Sequence, residues 1–309
     1  MGDCKRSNGR YYTSGNPFRN EPFIDWAKIA GLPDKHILEP FAGSNSLINM
    51  LSDMGLCKQA SSFDISPADS DVVMRDTLED FPQGYEICIT NPPWLAKNSS
   101  TVRGLPYPKC KYDDLYKYAL GKCLDNCPYV AALIPESFIT ANLFQDRLHT
   151  FISLTSKMFN ETENPVGFAL FVPDSICDVD IWSGTEWIGP LSMIRKLRPE
   201  PIKVGIAVQF NNPDGNVGLI ALDNTKEASI QFCDVAELAN YKVKTTGRHI
   251  TKLMVDGQIR IREWNKIMDA FREMTHDVLM TCYKGIRKDG KYRRRCDWSL
   301  ARGIIHHVG

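Results

Sequence analysis

The sequence predicts an α/β fold: a doubly wound, mostly parallel sheet followed by a C-terminal region of different character. Three observations carry that expectation. Short apolar or β-branched runs alternate with segments of helical spacing through the first half of the chain, the pattern of parallel βαβ units. Two of the runs, "YVAALIP" (129–135) and "VGFALFV" (166–172), are apolar almost throughout, as in strands covered on both faces. Past residue 175 the rhythm changes to short strands broken by Pro and Gly, giving expected domains of 1–175 and 176–309.

Taken in order, "HILEPF" (36–41) is strand-like, and "SLINMLSDMG" (46–55) has helical apolar spacing and stops at a glycine. "QASSFDI" (59–65) and "YEICITN" (85–91) are the next strands. Pro92 and Pro93 end the second of them, because each lacks an N–H and fixes φ. "YDDLYKYALGKCLDNC" (112–127) is a helix that leads into the apolar strand at 129–135. In the C-terminal region "KVGIAVQF" (203–210) and "VGLIALD" (217–223) are short strands, and "REWNKIMDAFREMTHDVLM" (262–280) is a helix.

With 309 residues, 43% hydrophobic and 24% charged, the chain can bury a sizeable core and has the balance of a globular protein. No apolar run approaches the roughly 18 residues of a membrane helix. The N-terminus is polar and basic, so a cytoplasmic protein without a membrane partner is expected. The ten cysteines are scattered singly. Their closest pair, Cys123 and Cys127, has neither CxxC spacing nor neighbouring histidines, which favours reduced thiols over a metal site.

Net charge is zero but unevenly spread. Residues 1–239 carry 21 Lys and Arg against 30 Asp and Glu, and residues 240–309 carry 16 against 7. The densest basic run, "YKGIRKDGKYRRRCDW" (283–298), interleaves Tyr283, Tyr292 and Trp298 with its cations. That mixture fits a polyanion partner, with Arg293, Arg294 and Arg295 as the expected phosphate contacts.

The chemistry concentrates at strand ends. Glu39 closes the first strand, and Gly43 stands where the backbone must turn into a helix. Asp64 closes the next strand-like run, 21 residues after Gly43, where a nucleotide-binding βαβ unit places a ribose-binding carboxylate. Asp76 follows another short apolar stretch and could accept from an adenine amino group. Singly, each acid reads equally well as a solvated loop residue. A pyrophosphate site needs several glycines, and "FAGSNS" has one, so the expected ligand is a nucleoside carrying no phosphate at that turn. S-adenosylmethionine meets that description.

"YYTS" (11–14), "LEPFAGSNSL" (38–47), "FDI" (63–65), "RDTL" (75–78), "TNPPW" (90–94), "YVAALIPESF" (129–138) and "KMFNETENPVGFALFV" (157–172) together carry a resemblance. In that order they resemble the motif set of S-adenosylmethionine-dependent DNA amino-methyltransferases, in the arrangement of the gamma-type adenine-N6 enzymes. The resemblance covers about residues 10–175. It implies a Rossmann-like methyltransferase sheet, a C-terminal target-recognition region, and cofactor contacts from Thr13, Glu39, Phe41, Gly43, Asp64, Ile65, Asp76 and Asn91. It departs from the family at Asn45, where a second glycine is frequent.

The resemblance gives Asn91, Pro92, Pro93 and Trp94 a chemical reading. An exocyclic adenine nitrogen is a weak nucleophile because its lone pair is delocalised into the ring. Acceptors on both amino hydrogens, the Asn91 side-chain oxygen and the Pro92 carbonyl, would stabilise the positive charge that develops on methyl transfer. The proline pair holds those oxygens in place at little entropic cost. Trp94 offers a face for a flipped-out base, and Phe159 closes the other side.

The partner expected is double-stranded DNA, with a monomeric enzyme and room for a cognate restriction endonuclease. Competing readings are an RNA base methyltransferase, a protein-glutamine N5 methyltransferase using the same NPPW logic, and a catalytically idle nucleic-acid-binding relative.

Overall fold

The computed structural model describes residues 11–174, 178–202 and 205–308. The chain divides into two compact units, Met1–Trp187 and Ile188–Gly309. The boundary expected between 175 and 176 lies outside the described residues, as does the start of the strand expected at 203–210.

The first unit opens with α1 (Glu21–Ala30), whose sequence sets both ends. The Asn20 side chain accepts from the Phe23 N–H, Pro22 sits in the first turn, and Gly31 ends the helix at φ 67°. Its buried face, Phe23 and Trp26, joins Phe18 and Phe168 in an aromatic cluster, and the Trp26 indole donates to the Phe171 carbonyl at 2.9 Å.

The sheet is then built from β1 (His36–Glu39), β2 (Gln59–Asp64), β3 (Val73–Met74), β4 (Ile87–Thr90), β5 (Tyr129–Pro135), β6 (Leu148–Leu154), β7 (Val166–Phe171), β8 (Asp180–Ser183) and β9 (Glu186–Pro190). Their order is β3-β2-β1-β4-β5-β7-β6-β8-β9. The first five in that order are parallel, and β7 inserts antiparallel between β5 and β6. The fold is α/β with a large, mostly parallel sheet. Central strands β4, β5 and β7 are buried nearly end to end, which is why their sequences are continuously apolar.

From β1 the chain first winds outward through α2 (Ser46–Asp53) to β2 and β3. It then returns to β4 on the other side of β1 and winds through α3 (Lys97–Arg103) and α4 (Leu115–Asn126) to β5. Right-handed crossovers in opposite directions put their helices on opposite faces and open a crevice beyond the carboxyl ends of β1 and β4. That switch point is where a ligand site belongs.

The second unit holds α5 (Leu191–Lys196) and an antiparallel sheet ordered β10 (Ala207–Phe210), β13 (Ile250–Asp256), β11 (Val217–Ile220), β12 (Gln231–Cys233). To these it adds α6 (Ile261–Thr275), the hairpin β14 (Thr281–Ile286) and β15 (Tyr292–Arg295), and α7 (Trp298–Val308). Phe232, Trp264, Met268, Phe271, Leu300 and Ile304 are buried there. Among the described residues no helix is long and apolar enough to cross a membrane.

Candidate active site

A cavity of about 460 Å³ occupies the switch-point crevice. On the β1 side its wall is the turn from Glu39 to Ser46. Gly43 is held at φ 54°, and a Cβ there would come within 2.6 Å of the Tyr12 ring, so the turn requires glycine. The Gly43 N–H donates to Asp64 Oδ2 at 3.0 Å, and the Ser66 N–H donates to Asp64 Oδ1 at 2.7 Å. Asp64 therefore clamps the β1 and β2 turns together at the cavity edge.

Asn45 also takes a left-handed conformation, φ 58°, with its buried side-chain oxygen accepting from Ser62 Oγ at 2.7 Å. Asparagine adopts that backbone shape more readily than other residues with a side chain. Asn45 thus makes a left-handed turn without glycine and anchors it to β2.

Glu39 is 1% exposed, and its Oε2 has no hydrogen-bond partner. Burial above all, and then the nearby Asp64 charge, push its carboxyl well above the usual glutamate range, against a smaller pull from the Ile48 N–H. Asp76 accepts from the Leu78 N–H at 3.1 Å, while Thr77 Oγ1 donates to the Pro40 carbonyl at 2.7 Å and ties that turn under the end of β1.

Across the crevice, β4 delivers Thr90, Asn91, Pro92 and Pro93. The Asn91 Nδ2 donates to the Tyr11 carbonyl at 2.7 Å, and its Oδ1 is buried without a partner. A carbonyl can only accept, so this bond fixes which end of the amide is nitrogen. Thr90 Oγ1 is likewise buried and unpartnered. Such groups are rare in folded proteins and mark places where a further hydrogen-bonding partner belongs. The N-terminal segment reaches the site by pairing with the later loop: Thr13 bridges Phe159, and the Ser14 N–H donates to the Met158 carbonyl at 2.8 Å.

Of the residues singled out in the sequence, Thr13, Glu39, Phe41, Gly43, Asp64, Ile65, Asp76, Asn91, Pro92 and Pro93 all line this one cavity. Trp94 and Phe159 do not line it. Trp94 is 7% exposed, its ring 5.2 Å from Phe159 and 5.7 Å from Tyr11, both edge-on, and Phe159 is 1% exposed. The rings expected to receive a base are instead packed, Trp94 edge-on to Phe159 and both against Tyr11.

Arg293, Arg294 and Arg295 lie in the second unit, on β15. Arg294 is 5% exposed and its backbone N–H donates to Asp223 Oδ2 at 3.0 Å, while Arg293 donates twice to the Asp223 carbonyl. Tyr292 is buried, and Trp298 stacks on Phe210 with centroids 4.8 Å apart. The run is thus a folded hairpin and helix whose arginines are largely engaged within the unit. It does not present three cations side by side to a polyanion.

Sequence reading missed the fourth wall. Leu105, Pro106, Tyr107 and Pro108 line the cavity with Leu95 and Leu115. The signal was there: prolines flanking a tyrosine, in the loop that follows the NPPW segment, are a rigid device.

No protein-family model matches the sequence, and no curated protein matches it. Solved structures share a partial likeness. A class I S-adenosylmethionine-dependent methyltransferase of Listeria monocytogenes, described as putative in its own name, is 12% identical over 52% of this chain and 63% of that one, with a TM-score of 0.36. A type I restriction-modification methyltransferase subunit from Streptococcus thermophilus is 18% identical over 57% and 48%, at 0.39. The modification subunit of a type I restriction enzyme from Vibrio vulnificus is 12% identical over 59% and 48%, at 0.39. The match spans about half the length of the latter two. At these scores the likeness assigns no activity, and the functional reading rests on the site itself.

Proposed function

We propose that the chain is an S-adenosylmethionine-dependent methyltransferase acting on the N6 amino group of adenine in double-stranded DNA, with the target base turned out of the helix. The observation that carries this reading is the buried, unpartnered Asn91 Oδ1 at the end of β4, in a residue that lines one cavity together with Gly43 and Asp64. A rigid acceptor on a proline-fixed strand end is what a weakly nucleophilic amino group requires.

The residues of the β1 side fit the cofactor. Gly43 lets the turn pass close against the Tyr12 ring, Asp64 and Glu39 supply carboxylate oxygens for hydroxyl and ammonium donors, and Phe41 and Ile65 give apolar walls. Asp76 suits an amino group, and Thr13 stands on the Asn91 side. When bound, the cofactor supplies an electrophilic methyl group. The chain's own task is to hold the acceptor amine. Asn91 Oδ1 and the Pro92 carbonyl accept hydrogen bonds from its two N–H groups. Positive charge developing on nitrogen as it takes the methyl from sulfur thus meets fixed dipoles rather than reorganising water, and the extra proton is then shed to solvent. The unit from Ile188 onward serves target recognition in this reading, and a restriction-modification setting, a cytoplasmic location and a monomeric state accompany it.

The test is incubation of the full chain with tritiated cofactor and duplex DNA, followed by nucleoside analysis. Label on N6-methyladenine is expected. Label on a protein glutamine, or on no acceptor, would overturn the proposal.

A further inference from the structure

One surface of the first unit departs from that unit's charge. Met1–Trp187 carries 16 Lys and Arg against 24 Asp and Glu, yet residues 97–122 hold six of the former and only two of the latter. Four of the five lysines in that stretch, all but Lys109, lie beside tyrosine rings. Lys97 lies 6.0 Å from the Tyr107 ring centroid and Lys111 lies 5.3 Å from that of Tyr112, with two further Lys–Tyr pairs along α4. Interleaved cations and aromatic faces are what a nucleic-acid strand uses, phosphates on one and bases on the other.

This segment is also built onto the cavity. The Lys97 N–H donates to the Asp113 carbonyl at 2.8 Å and the Leu115 N–H to the Leu95 carbonyl at 3.0 Å, so the loop leaves the end of β4 and returns to it. Its inner side lines the cavity, while Lys97, Lys109 and Lys111 are exposed. Tyr107 is steadied by its hydroxyl, which donates to the Tyr112 carbonyl at 3.2 Å, and by the prolines on both sides. Of the aromatic rings that line the cavity, Phe41 belongs to the turn after β1, Tyr12 stands against Gly43 of that turn, and Tyr11 is engaged with Trp94 and Phe159. Tyr107 is the ring on the Asn91 side whose surroundings are loop rather than core.

We infer that residues 97–112 are the surface on which duplex DNA is held by the catalytic unit, with Lys97, Lys109 and Lys111 meeting phosphates and the face of Tyr107 receiving the turned-out base. The inference rests on the proposed function for the identity of the polymer. Charge and placement are independent of it.

The experiment measures binding alone, by fluorescence anisotropy of short labelled oligonucleotides with the full chain, without turnover. Lys97→Ala, Lys109→Ala and Lys111→Ala combined should weaken duplex binding and flatten the log–log salt dependence by up to about three units. Lys28→Ala, Lys35→Ala and Lys58→Ala combined remove the same charge elsewhere on the unit and should leave the slope unchanged. Tyr107→Ala should weaken binding to single-stranded DNA by about 5- to 150-fold, the range for one stacked base. Tyr107→Phe, which keeps the ring, should not. Cofactor affinity and melting temperature serve as folding checks and should stay near wild type in all four. Wild-type affinity and salt slope in the first triple variant would overturn the inference, as would equal flattening in the second. Binding to RNA in preference to DNA would overturn the assignment to duplex DNA. A chain that binds duplex through these lysines yet transfers no methyl group would sink the proposed function and leave this surface standing.

Discussion

Asn91, which lines the cavity, gives its side-chain N–H to the backbone carbonyl of Tyr11 at 2.7 Å, and this single bond leaves the other end of the amide as a buried acceptor without a partner. The two residues lie 80 positions apart in the chain. An N-terminal segment with no role in the sheet therefore orients the acceptor at the end of β4. Leaving Asn91 Oδ1 buried and unpaired costs stability in the ligand-free protein, about 1–3 kcal/mol for a group of this kind. Such a cost persists where the missing partner is a ligand.

Replacing Asn91 with alanine should lower methyl transfer by roughly a hundredfold or more, the scale for one preorganised group at a developing charge. Cofactor affinity should change little, because the role proposed for Asn91 is to accept from the target amine. Single-turnover kinetics with duplex DNA check this. A rate within about threefold of wild type would remove Asn91 from the chemistry.

Asp64→Ala removes an acceptor from both the Gly43 and Ser66 N–H groups as well as from any ligand hydroxyl. Cofactor binding should weaken by about 1–3 kcal/mol, read by calorimetry. The companion change is Asn45→Gly. It keeps the left-handed turn and loses only the bond from Ser62, so it should cost about 1 kcal/mol of stability. Asn45→Ala should cost more, because alanine resists φ 58°. Equal effects from Gly and Ala would show that the backbone shape is not what Asn45 supplies.

Glu39 makes the stability of the ligand-free protein depend on pH. Burial, and then Asp64, hold its carboxyl well above the ordinary value, so the folded state keeps its proton longer than the unfolded state does. The stability tied to that proton is complete below the unfolded value of about 4.3 and is lost as pH rises through the folded one. Glu39→Gln abolishes the loss. Its melting temperature should therefore gain on wild type between about pH 5 and pH 8. A difference that stays constant across that range would mean Glu39 is not the titrating group. Cofactor affinity should fall in the same variant, since a carboxylate raised by burial at a strand end is better suited to a ligand than to the fold.

Much of this site could be read before any coordinates. Glu39, Gly43, Asp64 and Asn91 stand at strand ends bounded by turn residues, and β5 and β7 announced themselves as continuous apolar runs. Helix α1 was overlooked although Asn20, Pro22 and Gly31 mark its ends, because its apolar positions span only ten residues. Strand β6 was overlooked too, its apolar residues being interrupted by His149, Thr150 and Ser153. Two matters were beyond local pattern. The sequence places an aromatic ring after Pro93 but does not say which way it turns, and Trp94 turned into the core. It also shows a basic run without showing which acids meet it.

That last point sets the final prediction. Asp223 is fully buried, and it gathers the cations that the sequence left looking exposed. Arg272 binds it through two N–H groups at 2.8 and 2.9 Å, Arg287 donates at 2.8 Å, and the backbone N–H groups of Ser229 and Arg294 complete its shell. Burial raises the carboxyl, but these guanidinium and N–H donors outweigh it and hold Asp223 below the usual aspartate range. Its ionised form therefore contributes stability above about pH 4, lost as pH falls through the depressed folded value. Asp223→Asn keeps the shape and removes the charge, leaving Arg272 and Arg287 without their shared counter-ion. Breaking a buried pair from one side costs about 3–5 kcal/mol, so the second unit should lose most or all of its stability in urea. Arg272→Met should also cost stability: Arg287 still neutralises Asp223, but Asp277, its side chain only 14% exposed, loses its ion pair. Cofactor binding by the first unit should persist in both variants. If Asp223→Asn unfolds at the wild-type urea concentration, the charge at Asp223 is not what closes the hairpin of β14 and β15 onto β11.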